Sequence, residues 1–338
     1  MTATAHTKGP AMRRLLLARA FTLACATLLA HPARADEPFT FMTDWYAQAE
    51  QGGFYQALAE GTYKRHGLDV TIRMGGPQMN VIQLMAAGQA DCVIGSNDIQ
   101  VMQVRAGGVP LKSVAAFFQK DPTVLIGHED VHALTDLAGK TILISSASFR
   151  TFWPWLKAKY GVQDSQTRPY TFNIQPFVAD PQAVQQGYLT ADPFAIAKAG
   201  VKANVMLLGD FGYPSYANLV ACMDATLDRR RTQVQAFVQA SAEGWRSYLA
   251  NPAPGNALIK SDNPRMTDEQ LAYSVSKLRE LGMVTGGDAA TLGIGVMTDA
   301  RVRATHDFLV GNGLLDAAKL APNAAYDPAF ATAAHIMP

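Results

Sequence analysis

The chain has 338 residues, of which 49% are hydrophobic, and its formal net charge is +1. A chain of this size can bury a large core and commonly divides into two lobes. The balanced charge and the lack of a basic patch interleaved with aromatic residues argue against a nucleic-acid-binding protein. No segment after residue 35 is apolar and long enough to cross a membrane, so the mature protein is expected to be soluble.

The first 35 residues have the pattern of a secretory signal peptide. Arg13-Arg14 precedes an apolar segment, residues 15–30, and Ala33-Arg34-Ala35 has the small residues that a signal peptidase recognises. We expect cleavage after Ala35 and export to the periplasm, with Met12 as an alternative start. An N-terminal membrane anchor is the other possibility, although this apolar segment is short for a bilayer. Without residues 1–35, which hold five basic residues and no acid, the mature chain has 24 basic and 28 acidic residues.

Cysteines and histidines give no sign of a metal site. Cys92 and Cys222 are the two cysteines that remain after processing. In an oxidising compartment such residues either form a disulfide or lie buried as small apolar side chains. No His or Cys pair has the spacing of metal ligands, so we expect neither a metal nor a cofactor.

From Phe39 to about Asp121, short apolar segments alternate with helical patterns. The predicted strands are Phe39–Trp45, Val70–Met74, Cys92–Gly95 and Leu111–Phe118. The predicted helices are Phe54–His66, Asn80–Ala87 and Asp98–Ala106. This alternation predicts a parallel sheet with right-handed crossovers.

A second series of elements follows Asp121-Pro122. The predicted strands are Thr123–Gly127, one entered from the turn at residues 134–142, Asn173–Val178 and Asn204–Leu208, and Pro181–Tyr188 is predicted as a helix. Helical patterns then dominate, at Thr232–Ala250, Thr267–Leu281 and Asp299–Gly311. Residues from Ala317 onward are low in charge and are predicted to form a loosely attached tail.

This order predicts an α/β protein of two lobes, each a mostly parallel sheet flanked by helices. Two hinge crossings, near residues 122 and 217, would join the lobes. Residues 36–122 form the first part of lobe 1, 123–216 form lobe 2, and 217–338 form the second part of lobe 1 with the C-terminal helices.

Two phrases of the sequence carry a family resemblance. DWYAQ at residues 44–48, with GGFYQALAEGTYKRHGLDV at 52–70, resembles the opening of periplasmic substrate-binding proteins of the NMT1/THI5-like group. LTDLAGKTILIS at 134–145 resembles the start of the second lobe in type II periplasmic binding proteins. The resemblance also implies that the strands of Cys92 and Cys222 are antiparallel neighbours, which leaves a disulfide open.

The resemblance implies the solute-binding component of an ABC importer. Its ligand would be a small planar nitrogen heterocycle of the thiamin-pyrimidine precursor type, with sulfonates, nitrate or other small organic solutes as the alternative. Its partner would be an ABC permease in the inner membrane, and the protein is expected to be a monomer that binds no nucleic acid.

An enzyme is the competing hypothesis. Some eukaryotic relatives in this group build the thiamin pyrimidine from their own histidine and pyridoxal phosphate. They have histidine where this chain has Gln51, and a cysteine-rich motif that is absent here. Because G-x-S-x-G and H-E-x-x-H are also missing, we expect no catalytic residue.

Candidate ligand-binding residues follow the predicted strands, since ligands of open α/β sheets lie beyond the carboxyl ends of the strands. Trp45 and Tyr46 could stack on a flat ring. The polar candidates at the same rim of lobe 1 are Gln51, Gln78, Ser96, Asn97 and Gln119.

In lobe 2 the candidates are hydroxyl, aromatic and acidic side chains. Ser146 and Phe149 open a predicted helix, and Trp153 is preferred over Trp155 because it lies nearer the strand end. Asp192-Pro193 stands where relatives commonly have Glu-Pro, and the resemblance implies that this acid contacts the ligand's amino edge.

Overall fold

Ten strands build the two sheets of the protein, in a computed structural model that describes residues 1–4 and 36–338. The predicted signal-peptide segment and its cleavage site lie outside the described residues. The strands are β1 Glu37–Met42, β2 Leu68–Arg73, β3 Cys92–Asn97, β4 Leu111–Phe118, β5 Thr123–Gly127, β6 Thr141–Ile144, β7 Thr167–Pro169, β8 Ala183–Tyr188, β9 Asn204–Leu207 and β10 Ala217–Met223. They form one sheet in the order β2-β1-β3-β10-β4 and a second in the order β7-β6-β8-β5-β9. We call the part of the chain around each sheet the first and the second lobe.

Each sheet is mixed, and four of its five strands run in one direction, as the prediction of mostly parallel sheets requires. In the first sheet β1 runs parallel to β2 and β3, but β10 is antiparallel to β3 and β4. In the second sheet β6 runs parallel to β7 and β8, but β5 is antiparallel to β8 and β9. The two antiparallel strands, β5 and β10, are the first strands after the chain passes from one sheet to the other. In each sheet, the strand that enters from the opposite lobe runs against the other four strands.

Helices flank both sheets. They are α1 Gly52–Ala59, α2 Thr62–Arg65, α3 Val81–Ala86, α4 Asp98–Ala106, α5 Phe152–Tyr160, α6 Gln175–Ala179, α7 Asp192–Lys198, α8 Asp224–Arg229, α9 Arg231–Ala250, α10 Ala253–Asp262, α11 Asp268–Glu280, α12 Ala289–Leu292, α13 Asp299–Gly311 and α14 Ala329–Ala334. None of the helices within the described ranges is both apolar and long enough to span a bilayer.

Two segments of the second lobe have exchanged their predicted structures. Residues 173–178, predicted as a strand, contain helix α6, and residues 181–188, predicted as a helix, contain strand β8. Strand β8 lies between β5 and β6, so pairing on both sides fixes a glutamine-rich segment that has no strong strand pattern of its own. The predicted helix 54–66 is likewise interrupted, at Gly61 with φ of 66°.

The loop that follows β1 is held against the first lobe by a glycine pair. Helix α1 approaches α9 so closely that a Cβ on Gly52 would lie 2.1 Å from the Tyr248 ring, and one on Gly53 2.2 Å from the Trp245 ring. A side chain at either glycine would push α1 away from α9. Since the loop leads directly into α1, this packing fixes where the loop lies.

The C-terminal segment is packed into the first lobe, so the prediction of a loosely attached tail is wrong. Phe330 is 1% exposed, and α14 packs against α9. The Ser113 N–H of β4 donates to the Ala325 carbonyl, and the Asp327 N–H donates back to the Ser113 carbonyl.

A disulfide joins the first sheet across β3 and β10. Cys92 and Cys222 are directly opposite one another in the antiparallel pair, and their Cα atoms are 4.4 Å apart. The sequence alone did not decide whether these cysteines form a disulfide. The bond closes a loop with a sequence separation of 130 residues that contains the whole second sheet.

Candidate functional site

A cavity lies between the lobes, at the carboxyl ends of β1 and β3. It encloses about 880 Å³ of space between atoms, including its opening to solvent. The first lobe contributes the loop after β1, the 76–77 turn, the end of β3, Phe118 and Asn218. The second lobe contributes residues 145–152, Tyr170 and the segment from Gln186 to Asp192. A concave site at strand ends, formed by two lobes, is where α/β proteins bind small molecules.

Aromatic side chains give the cavity its flat walls. The Trp45 ring of the first lobe stacks on the Tyr170 ring of the second, with centroids 5.9 Å apart and planes inclined by 22°. Phe118, Phe152 and Tyr188 add further aromatic surface. Such walls suit a planar ring more than a compact tetrahedral group.

Glu50 is a buried acid of the lining with one oxygen that is unpaired in the described part of the chain. Its side chain is 3% exposed, and one carboxyl oxygen accepts a hydrogen bond from the Thr190 hydroxyl of the second lobe. The other oxygen, Oε2, is buried without a hydrogen-bond partner among the described residues. Burial, with a smaller contribution from the nearby Asp192, raises the pKa of Glu50 to about 7.

Two more carboxyl groups face the same cavity. Asp44 accepts a 2.6 Å hydrogen bond from the Ser96 hydroxyl, yet burial raises its pKa to about 6. Asp192 accepts hydrogen bonds from the Tyr170 hydroxyl at 2.5 Å and from the Tyr188 N–H at 2.8 Å. Burial raises the pKa of Asp192 as well, although both donors oppose that shift.

The described residues that line the cavity include no lysine, arginine or histidine. Three carboxyl groups therefore share a largely enclosed space without a protein cation to neutralise them. Carboxylates accept hydrogen bonds strongly from charged or amino donors. The arrangement can hold a ring that carries amino groups or a proton, and it offers an anion no cation among the described lining residues.

Five of the predicted ligand-binding residues line the cavity: Trp45, Gln51, Ser96, Asn97 and Asp192. The side-chain hydrogen-bonding groups of Asn97 already have partners within the protein. Its oxygen accepts from the Gln100 N–H at the start of α4, and its nitrogen donates to Asp121 and to Tyr213.

Two predicted residues lie between the lobes and bond across the cleft, outside the cavity lining. The Gln78 amide donates to the Tyr170 carbonyl at 3.2 Å. Ser146 donates its N–H and its hydroxyl to the Pro77 carbonyl, at 3.1 and 3.0 Å. These residues were predicted as ligand contacts, and the structure places them in hydrogen bonds between the lobes.

Four predicted residues lie away from the cavity, for separate reasons. Tyr46 packs against Phe172 with ring centroids 5.6 Å apart, and Phe149 is 45% exposed. Gln119 donates to the carbonyls of Ala116 and Val296 within the first lobe.

Trp153 is the fourth of these residues. It is 1% exposed, and its indole N–H donates to Asp164 at 2.7 Å. Trp155, the alternative, is also buried and packs on Tyr213. We expected one of these tryptophans in the cleft, but Phe152, one residue earlier, is the aromatic of this helix that lines the cavity.

Several lining residues were missed by the sequence analysis: Glu50, Asn218, Tyr170, Gln186 and Tyr188. Glu50 could have been found, since it stands between Gln48 and Gln51 in the loop that was singled out. Asn218 gave no such signal. Its φ of 52° and its hydrogen bond to the Glu50 carbonyl appear only in the structure.

The two crossings between the lobes meet at one carboxylate. Asp121, in the first crossing, accepts hydrogen bonds from Thr123 of β5 and from the Ser215 hydroxyl of the second crossing. It also accepts from Asn97, at the end of β3. Movement of one crossing is therefore tied to the other and to the rim of the cavity.

Similar proteins have been characterised. Over 274 residues the chain is 26% identical to the riboflavin-binding protein RibY of Chloroflexus aurantiacus, covering 78% of each chain. It is 24% identical to the formylaminopyrimidine-binding protein of Halalkalibacterium halodurans, covering 82% of this chain and 88% of that protein.

The fold recurs among binding proteins of ABC importers. The alkanesulfonate-binding protein SsuA of Xanthomonas axonopodis pv. citri superposes with a TM-score of 0.63 at 12% identity, covering 86% of this chain and 98% of that one. This likeness confirms the predicted two-lobed α/β fold. The model of one family matches residues 48–254, which include the end of the loop after β1 and the whole second lobe. The chain belongs to the NMT1/THI5-like family.

Proposed function

We propose that this protein is the exported solute-binding component of an ABC importer, and that it binds an amino-bearing planar nitrogen heterocycle between its lobes. The relative named for riboflavin supports a planar nitrogen heterocycle, and the relative named for formylaminopyrimidine supports an amino-bearing one. Neighbours in fold that are named as periplasmic binding proteins support the transport role. The first candidate ligand that we propose is a thiamin-pyrimidine precursor.

The observation that carries this proposal is the set of carboxyl groups of Asp44, Glu50 and Asp192 in a lining without basic residues. An aminopyrimidine presents an amino donor beside a ring nitrogen, which itself donates only when protonated, and a carboxylate with a free oxygen can accept from the amino group. The Glu50 Oε2 has no donor from the described protein. The ring itself would lie against Trp45, where stacking adds to the hydrogen bonds.

Closure of the lobes completes the site. Glu50 of the first lobe bonds to Thr190 of the second, and Gln78 bonds across the cleft to the Tyr170 carbonyl. The ligand-binding residues and the residues that bond across the cleft thus act in the same closed arrangement. The lobes can reach it by rotation about the two crossings, which meet at Asp121. A permease would recognise this closed form.

The sulfonate and nitrate alternative is not favoured. An anion would meet three carboxyl groups and no cation from the lining residues. The enzyme alternative also lacks support, because Gln51 is an amide whose oxygen accepts from the Gln48 N–H in its own loop. We therefore propose a binding protein and no catalytic activity.

Calorimetric titration of the purified protein tests this function. The probes are the aminohydroxymethylpyrimidine precursor of thiamin, riboflavin, methanesulfonate and nitrate. We expect an amino heterocycle to bind and both anions to fail. Glu50→Gln should weaken binding by roughly 10- to 100-fold, the range for a hydrogen bond to a charged group.

Glu129→Gln is the matched control, since Glu129 is exposed and lies 3.8 Å from Lys202 on the far surface of the second lobe. It should leave the affinity unchanged. Binding of either anion with higher affinity than both heterocycles would overturn the proposal, as would equal affinities of Glu50→Gln and Glu129→Gln.

A further inference from the structure

A second space adjoins the cavity and has the opposite charge. This outer groove contains about 1540 Å³ between atoms, including its wide opening to solvent. It shares four wall residues with the cavity: Gln48, Tyr170, Ala191 and Asp192. The groove runs from this shared wall along residues 171–174, helix α7 and residues 265–267.

The two spaces differ in their charged side chains. Asp192, in the shared wall, is the acid of the groove lining, whereas Arg265 and Lys198 are its cations. Lys198 forms an ion pair with Glu269. Arg265 has no carboxylate within ion-pair distance among the described residues, so it is the cation of the groove that remains available.

Aromatic rings hold the Arg265 guanidinium in place. Its central carbon lies 5.0 Å from the centroid of the Tyr46 ring and 5.6 Å from that of Phe172. A guanidinium stacked on rings keeps its in-plane N–H groups free to donate. Tyr46, predicted as a ligand contact, therefore supports the arginine beside the cavity.

The backbone beneath Arg265 is tied to the loop that forms the cavity. The Arg265 N–H donates to the Asn263 side chain, and the Asn263 amide donates to the Ala47 carbonyl at 2.9 Å. Ala47 lies two residues after Trp45. The arginine is thus placed in a fixed relation to the aromatic wall of the cavity.

We propose that the outer groove is a subsite for an anionic tail, with Arg265 as the residue that selects it. The ligand would then be an amino-bearing ring with a phosphate monoester on its side chain. This inference rests on the proposed function, which places the ring in the cavity. The charge pattern supports it, because such a molecule presents donors to the carboxyl groups and an anion to the arginine.

The test compares two molecules that differ only in the phosphate. The aminohydroxymethylpyrimidine and its phosphate monoester are titrated into wild type, Arg265→Gln and Arg265→Lys, and riboflavin and its phosphate monoester form a second pair. For the pair that binds, wild type should bind the ester about tenfold more tightly than the alcohol. This factor is at the lower end of the range for a hydrogen bond to a charged group, because Arg265 is exposed. Arg265→Gln should abolish this preference without changing the affinity for the alcohol.

Arg265→Lys should keep part of the preference, since it keeps the charge and loses the planar stack. Raising the salt concentration should weaken ester binding by wild type and leave alcohol binding unchanged. Arg303→Gln is the matched control, because Arg303 is an exposed residue of α13 outside both lining sets, and it should behave as wild type.

The outcomes separate this inference from the function on which it rests. If wild type binds an alcohol and its ester equally, or if Arg265→Gln weakens both equally, the subsite is rejected and the binding function stands. If no alcohol and no ester binds, the proposed function and the subsite are both rejected.

Discussion

The two walls of the cavity satisfy their polar groups differently. In the first lobe, Glu50 Oε2 and Asn218 Oδ1 line the cavity, are buried and have no hydrogen-bond partner among the described residues. In the second lobe, Asp192 accepts from Tyr170 and Tyr188, and the Gln186 oxygen accepts from the Ser145 N–H at 2.5 Å. The first-lobe wall therefore has acceptor oxygens that need donors from a ligand, whereas Asp192 and Gln186 of the second-lobe wall already have protein donors.

This difference assigns separate roles to the lobes. An unpaired buried polar atom is costly, so a ligand that supplies its partner gains most of that energy. The first lobe therefore provides the polar recognition of the ligand, while the second lobe brings a preorganised wall against it. The predictions below test this division.

The largest expected effect concerns the stability that the disulfide gives the first lobe. Replacing Cys92 and Cys222 together by serine should lower the free energy of unfolding by roughly 2 to 5 kcal/mol, because the disulfide closes a long loop of the unfolded chain. Denaturant unfolding measures it. Reductant should destabilise wild type and leave the double variant unchanged. Two reactive thiols in the denatured, unreduced wild-type protein would contradict the bond.

The next effect concerns the aromatic wall of the first lobe. Trp45→Ala should weaken ligand binding by about 2 kcal/mol, or roughly 30-fold, as for a buried aromatic anchor. Trp153→Phe is the matched control in the second lobe, because Trp153 is buried outside the cavity and donates to Asp164. Titration should show unchanged affinity for Trp153→Phe. A greater loss in the control than in Trp45→Ala would contradict the assignment of the stacking wall.

The smallest effect is a pH dependence from Glu50. Its pKa rises from 4.5 to about 7 on folding, so the folded protein holds this proton over a range in which the unfolded chain has lost it. The stability of the unliganded protein should then fall as pH rises from about 4.5 to about 7. Glu50→Gln has no such proton and should lack this part of the fall.

Thermal unfolding of both proteins across this range measures the difference. Because Asp44 and Asp192 also have raised pKa values, the variant retains part of the dependence. A constant difference in melting temperature between wild type and Glu50→Gln at every pH would show that Glu50 does not titrate in this way.

The sequence was most informative where the site is contiguous. Trp45, Gln51 and the acid that was overlooked between them, Glu50, all belong to the loop after β1, so one apolar strand followed by polar and aromatic residues located them. The two-lobed α/β fold was predicted from the alternation of strands and helices, and similarity in fold confirms it. Asp192 required the family resemblance, because a carboxylate before proline is otherwise an ordinary turn residue.

The rest of the site depends on contacts between distant segments. Nothing in the local pattern shows that Gln78 would bond to the Tyr170 carbonyl, or that Trp153 would turn inward to Asp164. Strand β8 was predicted as a helix because its pairing with β5 and β6, which decides its structure, is a tertiary effect. Residues placed by pairing and packing are the ones that sequence periodicity misses.

The interior position of β10, between β3 and β4 of the first sheet, has a consequence for synthesis and export. The second sheet is drawn from one continuous stretch, residues 123–207, whereas the first sheet cannot be completed until Ala217–Met223 is available. Contacts between such distant segments form late, since the intervening chain must first be ordered. We therefore expect the second lobe to mature before the first as the chain emerges, and the Cys92–Cys222 bond to be among the last features acquired.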